Sequence, residues 1–251
     1  MTGTVYLVGA GPGAPDLLTL RAARLLEQAD IVLHDALVNP EIVAVAAKAE
    51  KVSVGKRCGR HSAAQKFINK RLVDAARKHQ IVVRLKGGDP MLFGRAQEEI
   101  DALAEAGVRC EVVPGVTAAF AASAALGISL TRRGAARSVA FVTPRTGEGE
   151  DKANWARAAN AADTVAIYMG AGEAGAVSAA LVAAGKLPST PAVIVENASM
   201  PQEARQFTTL AGLARAVAAL GAGPALILVG DVYGGQAIIA QRSLARADRV
   251  A

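Results

Sequence analysis

Three ionisable side chains stand where apolar runs end, which is where strands commonly present chemical groups. Asp35, Lys56 and Asp89 each follow such a run. An acid and a lysine in one cleft can act as proton acceptor and proton donor when their surroundings separate their pKa values. Each residue also has a structural interpretation: Asp35 and Asp89 as caps at strand ends, and Lys56 as half of a surface ion pair.

Three arginines are candidates for binding a ligand that carries carboxylates: Arg95, Arg132 and Arg133. A guanidinium holds a carboxylate through two parallel N–H bonds. The formal net charge of +6 agrees with an anionic ligand, and no run of Lys and Arg indicates a nucleic-acid tail. A nucleotide-binding or regulatory module without enzymatic activity remains an alternative.

A glycine-rich loop follows the first apolar run, with Gly9, Gly11 and Ala14 at the spacing of a dinucleotide fingerprint. Asp35 then stands where the ribose-binding acid of an NAD enzyme would be expected. Pro12 argues against that interpretation, because it has no N–H to offer a pyrophosphate. A ligand without phosphate fits better, and an NAD- or FAD-dependent oxidoreductase stays as an alternative.

A second glycine motif, Gly87-Gly88-Asp89-Pro90, follows the apolar run that begins at residue 81. Two adjacent glycines let backbone approach a ligand where a side chain would clash. Asp89 can cap the next turn or accept a ligand hydroxyl. In the second half of the chain, Met169 ends another apolar run and could pack against a flat or sulfur-bearing ligand.

The elements that must position these residues alternate between strand and helix, which predicts an α/β fold with a mostly parallel sheet in the first half. Pro114-Gly115 interrupts the alternation, and a second series begins near residue 138. We therefore expect two α/β domains, residues 1–114 and residues 115–245.

The composition fits such a fold, because 52% of the 251 residues are hydrophobic and only 4% are aromatic. Cys58 and Cys110 show no metal-ligand spacing, so we expect free thiols and no metal site. No apolar segment is long enough to span a bilayer, and the start of the chain reads directly as a strand rather than as a signal peptide. These features predict a cytoplasmic protein without a membrane partner.

The ordered set of motifs resembles the tetrapyrrole methylase family. The resemblance extends from about residue 4 to about residue 233, and the set is far more specific than any one member. The matching motifs are Val5-Tyr6-Leu7-Val8-Gly9-Ala10-Gly11-Pro12-Gly13, Leu17-Leu18-Thr19, Asp35-x-Leu37-Val38, Val54-Gly55-Lys56-Arg57, Val83-Arg84-Leu85-Lys86-Gly87-Gly88-Asp89-Pro90, Phe93-Gly94-Arg95, Val113-Pro114-Gly115-Val116-Thr117-Ala118, Leu130-Thr131-Arg132-Arg133, Tyr168-Met169-Gly170 and Val195-Glu196-Asn197.

The resemblance implies two α/β domains with the active site in the cleft between them, S-adenosylmethionine as the cofactor with S-adenosylhomocysteine as its product, no metal, and a homodimer. It implies a tetrapyrrole substrate, no nucleic acid, and two successive C-methylations of uroporphyrinogen III. These occur at carbons 2 and 7 and give precorrin-2 through precorrin-1, on the routes to sirohaem, cobalamin or haem d1. A sister methylase acting on a later precorrin remains open.

The resemblance also implies roles for individual residues. The proton acceptor and donor fall on Asp35 and Lys56. The cofactor contacts fall on Pro12, Gly87, Gly88, Asp89, Leu92, Thr117, Ala118, Met169 and Ala198. The substrate contacts fall on Arg95, Glu98, Arg133 and Met169. The chain departs from common family residues at Ala36, Arg132, Pro144 and Arg145, the last three being in regions expected to hold the substrate carboxylates.

Overall fold

The computed structural model describes residues 2–55, 61–145 and 154–235, with the side chains of residues 61–64 left aside. The chain divides into two compact units, Met1–Ala118 and Ala119–Ala251. Each unit is built around its own sheet, and the two are described separately.

The described part of the first unit forms a five-stranded sheet in which every pair of neighbours is parallel. The strand order is β3-β2-β4-β1-β5. The strands are β1 (Thr4–Gly9), β2 (Ile31–His34), β3 (Glu50–Ser53), β4 (Ile81–Lys86) and β5 (Arg109–Val113). The helices are a 3-10 turn (Pro15–Leu17), α1 (Leu20–Gln28), α2 (Pro40–Val45), α3 (His61–Ala76) and α4 (Ala96–Glu105). The predicted parallel sheet of the first half is confirmed.

The neighbouring inner strands β1 and β4 are largely buried on both faces, as expected for a parallel sheet covered by helices. The charged side chains on these two strands are Arg84 and Lys86 of β4, and both are buried. The helices begin with local caps: Thr19 accepts a hydrogen bond from the Ala22 amide at the start of α1, and Asn39 accepts one from the Glu41 amide at the start of α2. These caps fix where the loops after β1 and β2 end.

The second unit contains a mixed sheet in the order β6-β7-β10-β8-β9. β6 and β7 are parallel, whereas β10 runs antiparallel to both β7 and β8, and β9 runs antiparallel to β8. The strands are β6 (Val139–Val142), β7 (Thr164–Ile167), β8 (Pro191–Glu196), β9 (Ala204–Thr209) and β10 (Ala225–Val229). The helices are α5 (Ala118–Leu126), whose first residue is the last of the first unit, α6 (Asn154–Asn160), α7 (Ala174–Ala183) and α8 (Leu213–Ala218), with 3-10 turns at Ala171–Glu173, Leu210–Gly212 and Asp231–Tyr233.

The chain therefore contains two sheets that are each combined with helices, as the sequence predicts, although the second sheet is largely antiparallel. The strand β9 was not predicted. It reads Ala-Arg-Gln-Phe-Thr-Thr and lies at the edge of the sheet, where it pairs with β8 on one side, and its sequence is largely polar. In the part of the chain that the structure describes, no helix combines the length and the apolar composition needed to cross a membrane.

Candidate active site

In the first unit, the loops that follow β1, β4 and β5 meet through glycine backbone. Gly11 and Gly88 exchange two hydrogen bonds, with N···O distances of 3.2 and 2.7 Å. A Cβ added to Gly115 would lie 2.3 Å from the Gly88 carbonyl oxygen, and one added to Gly9 would lie 2.6 Å from the Gly115 Cα. Side chains are excluded at these positions because three backbone segments are in direct contact.

Gly87 differs from these packed glycines, because it is exposed and a Cβ added to it would meet no atom within 4 Å. Its neighbour Gly88 adopts a left-handed conformation, with φ of 67°. The motif thus presents bare backbone on an open side while its other side is locked to the loop after β1. A cradle of this kind, without a side chain or a charged group on the glycines, fits a cofactor that binds against backbone.

Asp89 connects two of these loops. Its Oδ1 accepts a hydrogen bond from the Met91 amide at 2.8 Å, and its Oδ2 accepts one from the Gly115 amide at 2.9 Å. Each oxygen retains a second acceptor position. The carboxylate therefore holds the cradle in shape, and its direct contact with a cofactor stays a prediction, as it does for Pro12, Leu92, Thr117 and Ala118.

Asp35 lies directly after β2 and contacts a buried arginine of the neighbouring strand. Arg84 Nη2 donates to Asp35 Oδ1 at 2.5 Å. The Arg84 side chain is 2% exposed, whereas that of Asp35 is 35% exposed. Among the described residues, no hydrogen bond reaches Asp35 Oδ2. One oxygen of this carboxylate is thus fixed, and the other can accept a proton.

A group of buried charges continues inward from this pair. Glu99, on α4, is fully buried, and its Oε1 accepts from Arg84 Nε at 3.1 Å, from Lys86 Nζ at 2.9 Å and from Gln65 Nε2 at 3.2 Å. Within the described residues, Glu99 Oε2 has no hydrogen-bond partner. We call Asp35, Arg84, Lys86 and Glu99 the buried charge network; it holds two cations and two anions.

The network sets the protonation tendencies of its two cations in opposite directions. Burial opposes the charge on Arg84, but Asp35 and Glu99 outweigh it and raise the Arg84 pKa above its ordinary value. Burial, aided by the neighbouring Arg84, lowers the pKa of Lys86 despite its contact with Glu99. Arg84 is therefore a permanent cation beside Asp35, and Lys86 is the member of the network that loses its proton more easily.

Two predicted substrate contacts of the first unit, Arg95 and Glu98, lie together. The Arg95 guanidinium donates to both oxygens of Glu98, each at 2.7 Å. Their hydrogen bond raises the pKa of Arg95 and lowers that of Glu98. Arg95 also has a left-handed backbone, with φ of 55°, just before α4. The pair is exposed, so a carboxylate ligand could displace Glu98 from Arg95.

In the second unit, predicted cofactor positions coincide with unusual backbone. Met169 follows β7 with φ of 57° and is 43% exposed. Ala198 follows β8 and lies between Asn197 and Ser199, whose φ values are 51° and 69°. Left-handed residues other than glycine are uncommon and cluster at functional sites. The unusual backbone supports the prediction that both loops belong to a functional site. Contact of Met169 and Ala198 with a cofactor stays a prediction.

Two further predicted site residues are Arg133 and Lys56. Arg133 is exposed in the turn between α5 and β6, and no described residue pairs with its guanidinium. Lys56 lies outside the described residues. The described part of the chain brings no three His, Cys, Asp or Glu side chains together as a metal site.

The sequence reasoning missed Arg84, Lys86 and Glu99. A signal was available, because Arg84 and Lys86 stand two residues apart in a central apolar strand and so face the same side of the sheet. Charges at such positions need a buried partner. The partner itself, Glu99, looks like any acid in the first turn of a helix.

The comparisons with known proteins agree on one family. The model of the family described as Tetrapyrrole (Corrin/Porphyrin) Methylases matches residues 4–214. A siroheme synthase of Chromobacterium violaceum is 49% identical over 232 residues, which are 92% of this chain and 49% of that protein. The chain thus spans about half the length of the curated relatives it matches.

Solved structures are similar along nearly their whole length. The uroporphyrin III C-methyl transferase of Thermus thermophilus is 42% identical, with a TM-score of 0.80 over 92% of this chain and 98% of that one. The same protein in complex with S-adenyl homocysteine gives a TM-score of 0.79, with coverages of 92% and 93%. A cobalt precorrin-4 methyltransferase is 32% identical, with a TM-score of 0.78 over 91% of this chain and 95% of that one.

Proposed function

The chain belongs to the tetrapyrrole methylase family, and we propose on that premise that it methylates uroporphyrinogen III with S-adenosylmethionine. The methyl groups go to carbons 2 and 7 and give precorrin-2 through precorrin-1. The observation that carries the proposal is the 42% identity to the Thermus thermophilus enzyme over 98% of that enzyme's length. The proposal covers this methylation alone and not the other half of the longer siroheme synthases.

The glycine cradle supports S-adenosylmethionine as the cofactor. When bound, this cofactor supplies an electrophilic sulfonium methyl group. Gly87 and Gly88 would accept it against backbone, and the structure leaves the space beside Gly87 open. Pro12, Asp89, Leu92, Thr117 and Ala118 of the first unit are proposed contacts, together with Met169 and Ala198 of the second.

Asp35 is proposed as the base. A pyrrole carbon contributes the electron pair of the new carbon–carbon bond, and the methylated ring is left with a positive charge. Asp35 takes up the proton that this ring then loses, which restores a neutral ring. Lys56, proposed as the proton donor, lies outside the described residues. Alignment of the reacting atoms and exclusion of water supply the rest of the rate enhancement.

The carboxylates of the tetrapyrrole are proposed to bind Arg95 and Arg133, with Glu98 and Met169 as further contacts. Arg95 is already oriented by Glu98, and Arg133 has its guanidinium at the surface. A homodimer located in the cytoplasm completes the proposal, on the strength of the family resemblance.

We expect Gly87→Ala to fold normally and to lose affinity for S-adenosylhomocysteine by about tenfold or more, which corresponds to about 1.4 kcal/mol. The added methyl group meets no protein atom, so only an approaching ligand can clash with it. Titration calorimetry measures the affinity, and thermal unfolding checks the fold. Gly235→Ala is the matched control, because its Cβ also meets no atom and its backbone is not left-handed. Equal affinities of Gly87→Ala and wild type would place the cofactor elsewhere.

We expect Arg133→Ala to raise the KM for uroporphyrinogen III about two- to fivefold and to weaken the dependence of KM on salt. An exposed ion pair contributes up to about 1 kcal/mol, which sets the size of the effect. Initial rates at low and high ionic strength provide the measurement. Arg137→Ala removes the same charge from a nearby exposed position and serves as the control. If KM changes equally in both variants, Arg133 acts only through the net charge of the protein and does not contact the substrate carboxylates.

The second candidate function is methylation of a later precorrin. The cobalt precorrin-4 methyltransferase favours it, because that enzyme is similar over 91% of this chain, although its identity is ten percentage points lower than that of the Thermus enzyme. The two functions share a cofactor and differ in the carboxylates that the protein must recognise.

Calorimetric titration tests the cofactor that both candidates share. We expect S-adenosylhomocysteine to bind with one-site saturation and NAD to give no heat of binding at the same concentration. Saturable binding of NAD without binding of S-adenosylhomocysteine would contradict the proposal and favour an oxidoreductase.

A further inference from the structure

Asp35 is the exposed end of a network whose other three members are inside the protein. The side chains of Arg84, Lys86 and Glu99 are between 0% and 4% exposed, against 35% for Asp35. Burying charges in this way is costly, and a well-packed apolar group is often at least as stable. Stability alone therefore does not explain why an arginine occupies the middle of a central strand.

The donors of Arg84 are divided between holding the guanidinium and holding Asp35. Nε donates to Glu99 Oε1, and Nη1 donates to the carbonyl oxygens of Leu33 and Leu85 at 3.4 and 3.3 Å. Nη2 donates to Asp35. The guanidinium is thus oriented by groups of β2, β4 and α4. Its remaining hydrogen bond fixes the position of one carboxylate oxygen of Asp35.

Asp35 itself has a well-placed backbone and a side chain that needs an anchor. Its amide donates to the Leu85 carbonyl at 3.2 Å, and its carbonyl accepts from the Val38 amide at 3.3 Å. A partly exposed aspartate at the start of a turn would otherwise sample several rotamers. A base must stay within hydrogen-bond reach of the proton it takes, and a fixed rotamer satisfies that requirement.

We infer that Arg84 is a positioning residue: held by Glu99, it fixes Oδ1 of Asp35 so that Oδ2 is available to take the proton from the methylated tetrapyrrole. This inference rests on the proposed function and deepens it. Lys86 is the second cation in contact with Glu99, so the four side chains of the network together carry two positive and two negative charges.

The test is a double-mutant cycle of Arg84→Lys and Asp35→Asn, assayed with uroporphyrinogen III and S-adenosylmethionine. A lysine keeps the charge, but its single Nζ cannot reproduce the separate Nε and Nη2 contacts. We expect kcat to fall about 10²-fold in Arg84→Lys, as for a misplaced catalytic group, while KM for uroporphyrinogen III stays within about twofold. In the Asp35→Asn background, the same change should lower kcat by less than about twofold, because Arg84 acts through Asp35.

Two measurements and one control variant accompany the cycle. The affinity for S-adenosylhomocysteine and the thermal unfolding midpoint report on the cofactor cradle and the fold. The control is Arg77→Lys, at an exposed arginine in the turn directly after α3. If Arg84→Lys fails to fold, the charge-balanced double variant Arg84→Met with Glu99→Met takes its place, and the same loss of kcat is expected.

The outcomes separate the inference from the proposed function. Equal losses of kcat from Arg84→Lys in both backgrounds, or an unchanged kcat in a folded variant, would overturn the role of Arg84 while the wild-type activity stands. A wild-type protein that binds S-adenosylhomocysteine but transfers no methyl group to uroporphyrinogen III would overturn the proposed function, and the inference with it.

Discussion

Asp35→Asn is expected to lower kcat for methylation of uroporphyrinogen III by about 10²–10⁴-fold, the range contributed by a general base. The amide oxygen of asparagine can still accept the hydrogen bond from Arg84, so the strand end keeps its structure. What is lost is the negative charge and the ability to take a proton. Initial rates under saturating substrate measure the effect.

Binding of the cofactor product separates this explanation from a role of Asp35 as a ligand contact. Titration with S-adenosylhomocysteine should give the same affinity in Asp35→Asn and in wild type. Asp101→Asn, on the exposed side of α4, is the matched control and should keep both rate and affinity. Abolished affinity in Asp35→Asn would reassign Asp35 to the cofactor site and remove it as the base.

Glu99→Gln is expected to lower the free energy of unfolding by about 3–5 kcal/mol, the cost of removing one partner from a buried ion pair. Arg84 and Lys86 would then have Asp35, which is partly exposed, as the one anion left in the network to compensate their charges. Denaturant unfolding at pH 7 measures the change. Glu105→Gln at the exposed end of the same helix should stay within about 0.5 kcal/mol of wild type.

The loss in Glu99→Gln should shrink as the pH is raised. The pKa of Lys86 is lowered by burial in the folded protein, whereas the unfolded chain holds the proton up to the ordinary value of 10.5. The unfolded state therefore binds more protons in the range just below 10.5, and stability contributed by neutral Lys86 rises with pH there. If Glu99→Gln lowers the free energy of unfolding equally at pH 7 and pH 10, the buried charge of Lys86 is not the cause of the destabilisation.

The fold could be predicted well where apolar runs alternate with helical spacing. The strands β1, β2 and β4 contain such runs, and the parallel pairing of the first sheet follows from the helices between its strands. The second sheet could be predicted only in part. The apolar sequence of a strand such as β8 does not indicate whether the neighbouring strands run parallel or antiparallel to it. The edge strand β9 is too polar to be recognised as a strand from its apolar pattern.

The candidate site could be predicted from sequence as far as its loops, because glycine and proline motifs mark where backbone must turn or approach. Gly88 and Gly115 are required by close backbone packing that the motif alone does not show. The two cations in the apolar strand β4 carried a sequence signal, but their partner Glu99 could not be identified, because its pairing with Arg84 depends on how α4 packs on β4. An exposed acid and a buried one in the first turn of a helix, such as Glu98 and Glu99, look alike in the sequence.

The central claim is tested most directly by the mass of the product formed from uroporphyrinogen III and S-adenosylmethionine. We expect the tetrapyrrole to gain two methyl groups through a singly methylated species, with two equivalents of S-adenosylhomocysteine released. A tetrapyrrole of unchanged mass, from a protein that binds S-adenosylhomocysteine, would contradict the claim.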